Sequence, residues 1–87
     1  MNNPYRFDKW EISPEMLYSL EQYVKEHIPL GDFLTAVLEN NFVEAVGRAD
    51  STNIENLPAY AAWLYNEAPL ACWGSKDAVN RWLEIKE

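Results

Sequence analysis

Apolar residues recur at three- and four-residue spacing along most of this chain, which makes helices the elements to expect. Leu17, Leu20, Val24, His27 and Ile28 fall on one such face. Ahead of them, Ser13-Pro14-Glu15 supplies a capping hydroxyl, a first-turn proline and a carboxylate for the positive end of the helix dipole. Pro29 and Gly31 close the run. Asp32 is placed to cap a short second helix with Phe33, Leu34, Val37 and Leu38 as its apolar face, interrupted by Asn40-Asn41. Phe42, Val43 and Val46 make a further helical piece that Gly47 terminates, or that continues the second helix around a bend. Ser51, Thr52 and Asn53 are good caps for a longer segment carrying Ile54, Leu57, Ala61, Leu64 and Tyr65 up to Ala68-Pro69. Pro58 forces a choice, because an interior proline loses a hydrogen bond and clashes with the preceding turn. The reading favours one segment that starts before it. Leu70 to Gly74 reads as a loop, and Ser75 with Asp77 starts a last helix bearing Val79, Trp82 and Leu83 on one side.

Residues 1–12 mix Pro4, Tyr5, Phe7 and Trp10 with charges at no clean period, so they are expected to form an irregular arm packed on the domain. No alternating β-branched run, hairpin dipeptide or internal repeat stands out. The fold class expected is therefore all-α: residues 1–87 as a single domain, a compact orthogonal bundle of four to five short helices plus the arm.

Length and charge narrow the possibilities. At 87 residues and 10.1 kDa, 48% of them hydrophobic and four of them tryptophan, the chain suits one folded core of ordinary density. Fourteen acidic residues against seven basic ones give a net charge of −7, which opposes binding to nucleic acid or anionic membrane and favours a basic or neutral partner. No stretch is apolar enough for a membrane span, and Met1-Asn2-Asn3-Pro4-Tyr5-Arg6 lacks the apolar centre of a signal peptide. A cytoplasmic location is the expectation, and the lone Cys72 fits a reducing compartment.

Candidate chemistry is sparse. His27 is the only histidine, so neither a metal cluster of histidines nor a triad with a histidine base can be built. Cys72 has no identifiable base near it and reads as packed beside Trp73. The three glycines form no phosphate-cradling pattern. No catalytic residue, metal or cofactor is expected, and the chain does not read as an enzyme. Gly47-Arg48-Ala49-Asp50 stands out, because an arginine and an aspartate two apart beside a glycine either fix a turn or present a fork to a partner. On the structural side, Arg48 tethers two helices and Asp50 caps the next. Trp63, Tyr65, Trp73 and Trp82 serve equally in a core or at an interface. Together with Tyr5, Trp10, Tyr18, Tyr23 and Tyr60 they are expected to leave an exposed aromatic patch with an acidic rim. Arg48, Asp50, Tyr65, Trp73, Trp10, Glu11 and Glu15 are the partner-binding candidates. The acids read otherwise as solvated faces.

The stretch from Ile28-Pro29-Leu30-Gly31-Asp32-Phe33-Leu34 to Val37-Leu38, then Gly47-Arg48-Ala49-Asp50, Trp63-Leu64-Tyr65-Asn66-Glu67-Ala68-Pro69 and Cys72-Trp73-Gly74-Ser75, resembles small proteins encoded by tailed phages and prophages. The resemblance runs from Ile28 to Leu83 and leaves out residues 1–27. It implies an origin, and carries over no activity, cofactor or catalytic residue. Small acidic phage proteins are often accessory factors that bind a host or defence protein, anti-CRISPR-type inhibitors among them. The resulting expectation is an accessory protein that binds and modulates or inhibits a host or defence protein with a basic surface. The alternatives are a nucleotide-like small-molecule binder or sequestering oligomer, with Arg48 and Trp73 lining the site, and a structural, self-associating phage protein. The acids lie dispersed among lysines and arginines, so charge mimicry of DNA is not favoured.

Overall fold

The computed structural model describes residues 3–85. It is mostly helical, but it opens with strands where the sequence reading expects an irregular arm. Strands β1 (Tyr5–Phe7) and β2 (Trp10–Ile12) form an antiparallel hairpin, with Tyr5 opposite Ile12, Arg6 opposite Glu11 and Phe7 opposite Trp10. The segment alternates apolar, polar, apolar on each side of Asp8-Lys9, so one face gathers the four apolar residues and the other pairs Arg6 with Glu11 at 3.4 Å. Asp8 takes the positive φ of 56° that the tight reversal needs, a conformation aspartate tolerates. Phe7 stacks on Trp10 with ring centroids 6.2 Å apart, and Ile12 is fully buried in the core. The fold class is thus corrected from all-α to mostly α with a two-stranded sheet.

Six α-helices follow in place of the four to five expected: α1 (Pro14–Glu26), α2 (Asp32–Leu38), α3 (Phe42–Arg48), α4 (Ser51–Glu55), α5 (Leu57–Asn66) and α6 (Lys76–Leu83), with a 3₁₀ turn at Leu70–Cys72. The Ser13 hydroxyl caps α1 by accepting from the Met16 amide at 3.3 Å, and Ser75 caps α6 by accepting from Ala78 at 3.1 Å. Helix α1 ends at Glu26, two residues before the periodicity suggests. His27 takes a left-handed φ of 58°, so Ile28 leaves the buried face and is exposed, and fully buried Tyr23 takes the central place with Leu20. Asp32 does not cap α2: Gly31 occupies the cap position and Asp32 is the first helical residue.

Helices α2 and α3 are separate, joined by the two asparagines. Asn40 adopts φ 60°, its amide donates to Val37 at 3.1 Å and the Asn41 amide donates to Ala36 at 2.9 Å, a Schellman closure of α2. The Asn41 side chain then caps α3 by accepting from Glu44 at 3.3 Å. Gly47 lies inside α3, which runs on to Arg48. The Pro58 choice resolves against a continuous segment. Asn56 breaks the chain with φ −108° and ψ 15°, α4 stops at Glu55, and Pro58 sits in the first turn of α5, where its missing N–H costs nothing.

The core lies where α1, α2 and α5 meet, built from Leu20, Tyr23, Phe33, Leu38, Tyr60 and Trp63 with their neighbours. Phe33 meets the Tyr60 ring edge-on at 5.2 Å. Helix α5 also packs on both strands of the hairpin. Asn56 is the bolt at that junction: its Oδ1 accepts from the Glu11 amide and its Nδ2 donates to the Thr52 carbonyl, both at 2.8 Å. At the other end, the Trp82 indole donates to the Tyr23 carbonyl at 2.9 Å, and the Tyr23 hydroxyl donates to the Cys72 carbonyl at 2.8 Å. Those two bonds fix α6 and the 3₁₀ turn against α1.

Candidate binding surface

The seven residues singled out from the sequence fall in different places. Arg48, exposed at the end of α3, donates through Nε to Glu44 at 2.7 Å and lies 3.5 Å from Asp32 through Nη1. The hydrogen bond it donates to Glu44, then the charges of Glu44 and Asp32, raise the guanidinium above its already high ordinary pKa. Asp50 does not pair with Arg48. Its carboxylate caps α4, accepting from the Asn53 amide at 2.8 Å. Trp10 and Glu11 belong to the hairpin: Trp10 is half-buried with the Lys9 ammonium 5.3 Å from its ring centroid, and Glu11 faces Arg6. Glu15 is exposed in the first turn of α1. Trp73 is half-buried against the core, with its indole N–H buried and without an acceptor. Tyr65 alone among the seven is a large, fully presented ring, 84% exposed on α5.

Of the nine residues expected to leave an exposed aromatic patch with an acidic rim, only Tyr18 and Tyr65 are exposed, on α1 and α5. Tyr23, Tyr60 and Trp63 are buried, and Tyr5, Trp10, Trp73 and Trp82 pack against the core. In so small a domain the large rings are the material from which the core is made, and few are left over. Cys72 is fully buried, and burial pushes its thiol up to about 11, so it is protonated at neutral pH and screened from reagents.

The apolar surface lies instead on α3. Only Ala45 of that helix is buried, while Phe42 and Val43 are 71% and 78% exposed and Val46 is exposed beside them. Phe42 also forms one wall of an apolar groove of about 320 Å³ between α2, α3 and α5, floored by Val37, Ala45, Leu57, Ala61 and Leu64. On its other side Phe42 and Val43 border a shallower depression with Glu39 and Lys76. Tyr65 stands one helical turn after Ala61, on the same side of α5. The groove's polar groups come from Asn40, Asn41 and Tyr60, with exposed Asn40 at its rim. The Tyr60 hydroxyl donates to Asn53 at 3.0 Å, and the Asn41 side chain is occupied as the cap of α3. Neither Arg48 nor Trp73 lines this groove.

The sequence marks Phe42, Val43 and Val46 as a helical piece, and helix geometry limits how much of it can be buried. Phe42 and Val43 are adjacent, and adjacent helical side chains point about 100° apart, so a seven-residue helix that buries Ala45 cannot bury both. The electrostatic setting is legible too. From Asp32 to Glu67 the chain carries six carboxylates and one arginine, hence five of the seven net negative charges, and that arginine is engaged by Glu44 and Asp32. Among the described residues no three of His, Cys, Asp and Glu stand close enough to hold a metal ion, and no helix is long and apolar enough to cross a membrane. No family model, curated protein or solved structure matches the chain.

Proposed function

We propose that this chain is a small accessory binding protein of the kind tailed phages encode, acting in the bacterial cytoplasm by docking on a basic host or defence protein and inhibiting it. The observation that carries the reading is the exposed Phe42–Val43 face of α3 beside an apolar groove, in a half of the molecule with a net charge of −5. Adjacent large apolar side chains left in water at the rim of a groove are characteristic of interaction sites. The surrounding acids favour a positively charged partner, speed the encounter and repel nucleic acid. The motif resemblance between Ile28 and Leu83 supports a phage origin, and the acidic balance supports the choice of partner.

The test is co-purification from a bacterial host that carries defence systems, with C-terminally tagged wild type beside the triple variant Glu39→Lys/Glu55→Lys/Glu67→Lys. The expected result is one stoichiometric partner, held by wild type at low salt, partly released at moderate salt, absent from the variant, and inhibited when the purified chain is added back. Recovery of the wild-type chain alone at low salt contradicts the reading.

A further inference from the structure

The groove's chemistry says what form of partner fits it. We infer that the groove between α2, α3 and α5 seats one amphipathic helix of the partner, with a large apolar side chain anchored beside Phe42 and lysines or arginines flanking it. This inference rests on the binding role proposed above and adds the conformation and charge of the docking segment.

Three features of the site lead there. The first is backbone satisfaction. An extended peptide brings unpaired N–H and C=O groups, and these need an open strand edge or a row of polar side chains. The groove walls are mainly helical, its floor is apolar, and the Tyr60 hydroxyl and the Asn41 Oδ1 already bond inside the fold, which leaves no row of polar side chains along it. A helix satisfies its own backbone and can lay an apolar stripe on such a surface without burying an unpaired polar group.

The second feature is size. At about 320 Å³ the groove lies at the small end of the range for compact ligand sites, roughly 300 to 1,000 Å³. It accommodates an anchor from one helix face against Phe42, with Val43 and Tyr65 outside it to meet the side chains one turn away. The third is charge. The three helices forming the groove, with their caps, carry Asp32, Glu39, Glu44 and Glu67 against Arg48 alone, and Arg48 is held by two of those acids. A second copy of this chain would bring the same negative field to the contact, so like charges oppose self-docking through α3. A basic helix meets no such opposition.

The probe is a synthetic amphipathic helix with leucine at i, i+3, i+4 and i+7 and lysine elsewhere, titrated into the full chain at low salt and at about 0.3 M salt. A scrambled peptide of the same composition and a glutamate-for-lysine peptide serve as comparisons. Amide and methyl resonances report the site, and Ala61→Arg and Phe42→Asn, both at exposed positions, block or strip the groove. The expected result is saturable binding that shifts Val37, Leu57 and Leu64, weakens at least about tenfold in either variant and at the higher salt, and is absent with both comparison peptides.

Equal binding of the scrambled peptide overturns the inference, because it leaves only unspecific attraction of charge. So does binding that neither variant weakens. A doubled mass of the isolated chain that Phe42→Asn restores to monomer overturns it in favour of a second copy as occupant. The two levels separate cleanly in the cell. A partner that co-purifies equally with Ala61→Arg leaves the binding role standing and removes the groove, whereas the absence of any partner removes the role itself.

Discussion

At the scale of single residues, the most informative side chain is Tyr23. It is fully buried in α1, and desolvation, ahead of the nearby Cys72 and Glu39, holds its phenol well above the ordinary value of 10.0. Its hydroxyl satisfies the Cys72 carbonyl at 2.8 Å while its own carbonyl receives the Trp82 indole at 2.9 Å. One residue thereby ties the start of the chain's helical part to its end. Tyr23→Phe keeps the ring and removes only the donor, leaving a buried carbonyl unpaired, which costs about 1–3 kcal/mol. Urea unfolding followed by tryptophan fluorescence measures this as a lowered midpoint with an unchanged slope. Phe42 is the counterpart at the surface. It contributes little to the fold that its 71% exposure does not already forfeit, and its importance lies outside the molecule.

At the scale of elements, two substitutions test why the helices begin and end where they do. Gly47 lies within α3 with open space around the position a Cβ would occupy, and its φ is not in the left-handed region. Gly47→Ala is expected to stabilise the chain by about 0.5–1 kcal/mol, mainly by restricting the unfolded backbone, read as a raised thermal midpoint. Asn56→Ala removes the acceptor of the Glu11 amide and the donor to Thr52 at the hairpin–helix junction. It is expected to cost about 1–3 kcal/mol and to speed hydrogen exchange at the Glu11 amide above all others in the hairpin.

These elements also mark where sequence reasoning reached and where it stopped. The starts of α1 and α6 were legible because Ser13 and Ser75 act locally, each bonding an amide three residues on. The hairpin was not, because each strand offers only three residues, too few for a period of two to stand apart from chance. The break at Asn56 turns on a tertiary bond to Glu11, 45 positions away, which no local pattern records. Within the candidate surface, the acidic bias was visible in composition. That one of the adjacent Phe42 and Val43 must face water was legible as well, but that both do was not, since it depends on which neighbours are left to cover α3.

At the scale of the whole molecule, the chain has a radius of gyration of 12.1 Å, as expected for a compact domain of this length. Its accessible surface of 5705 Å² slightly exceeds the roughly 5,300 Å² typical of its mass. The buried core is rich in groups that must stay neutral. Desolvation pushes Tyr60 from 10.0 to about 12 and Cys72 from 9.0 to about 11, with Tyr23 raised as well. Each keeps its proton in the fold at a pH where the unfolded chain has lost it, so the unfolded state binds fewer protons. Their contribution is complete below about pH 9 and is lost as pH rises through about 11 to 12. Denaturant titrations from pH 8 to 12 should show flat stability followed by a decline, and Cys72→Ala should delay its onset.

The surface reading applies to the molecule as a whole, because it joins an apolar groove to a net charge of −5 spread over four helices. Calorimetric titration of the co-purified partner with the wild-type chain and with Phe42→Asp, each at two salt concentrations, tests that union. The predicted result is a defined complex whose dissociation constant rises at least about tenfold with salt and again with the substitution. An affinity that neither change moves would contradict it.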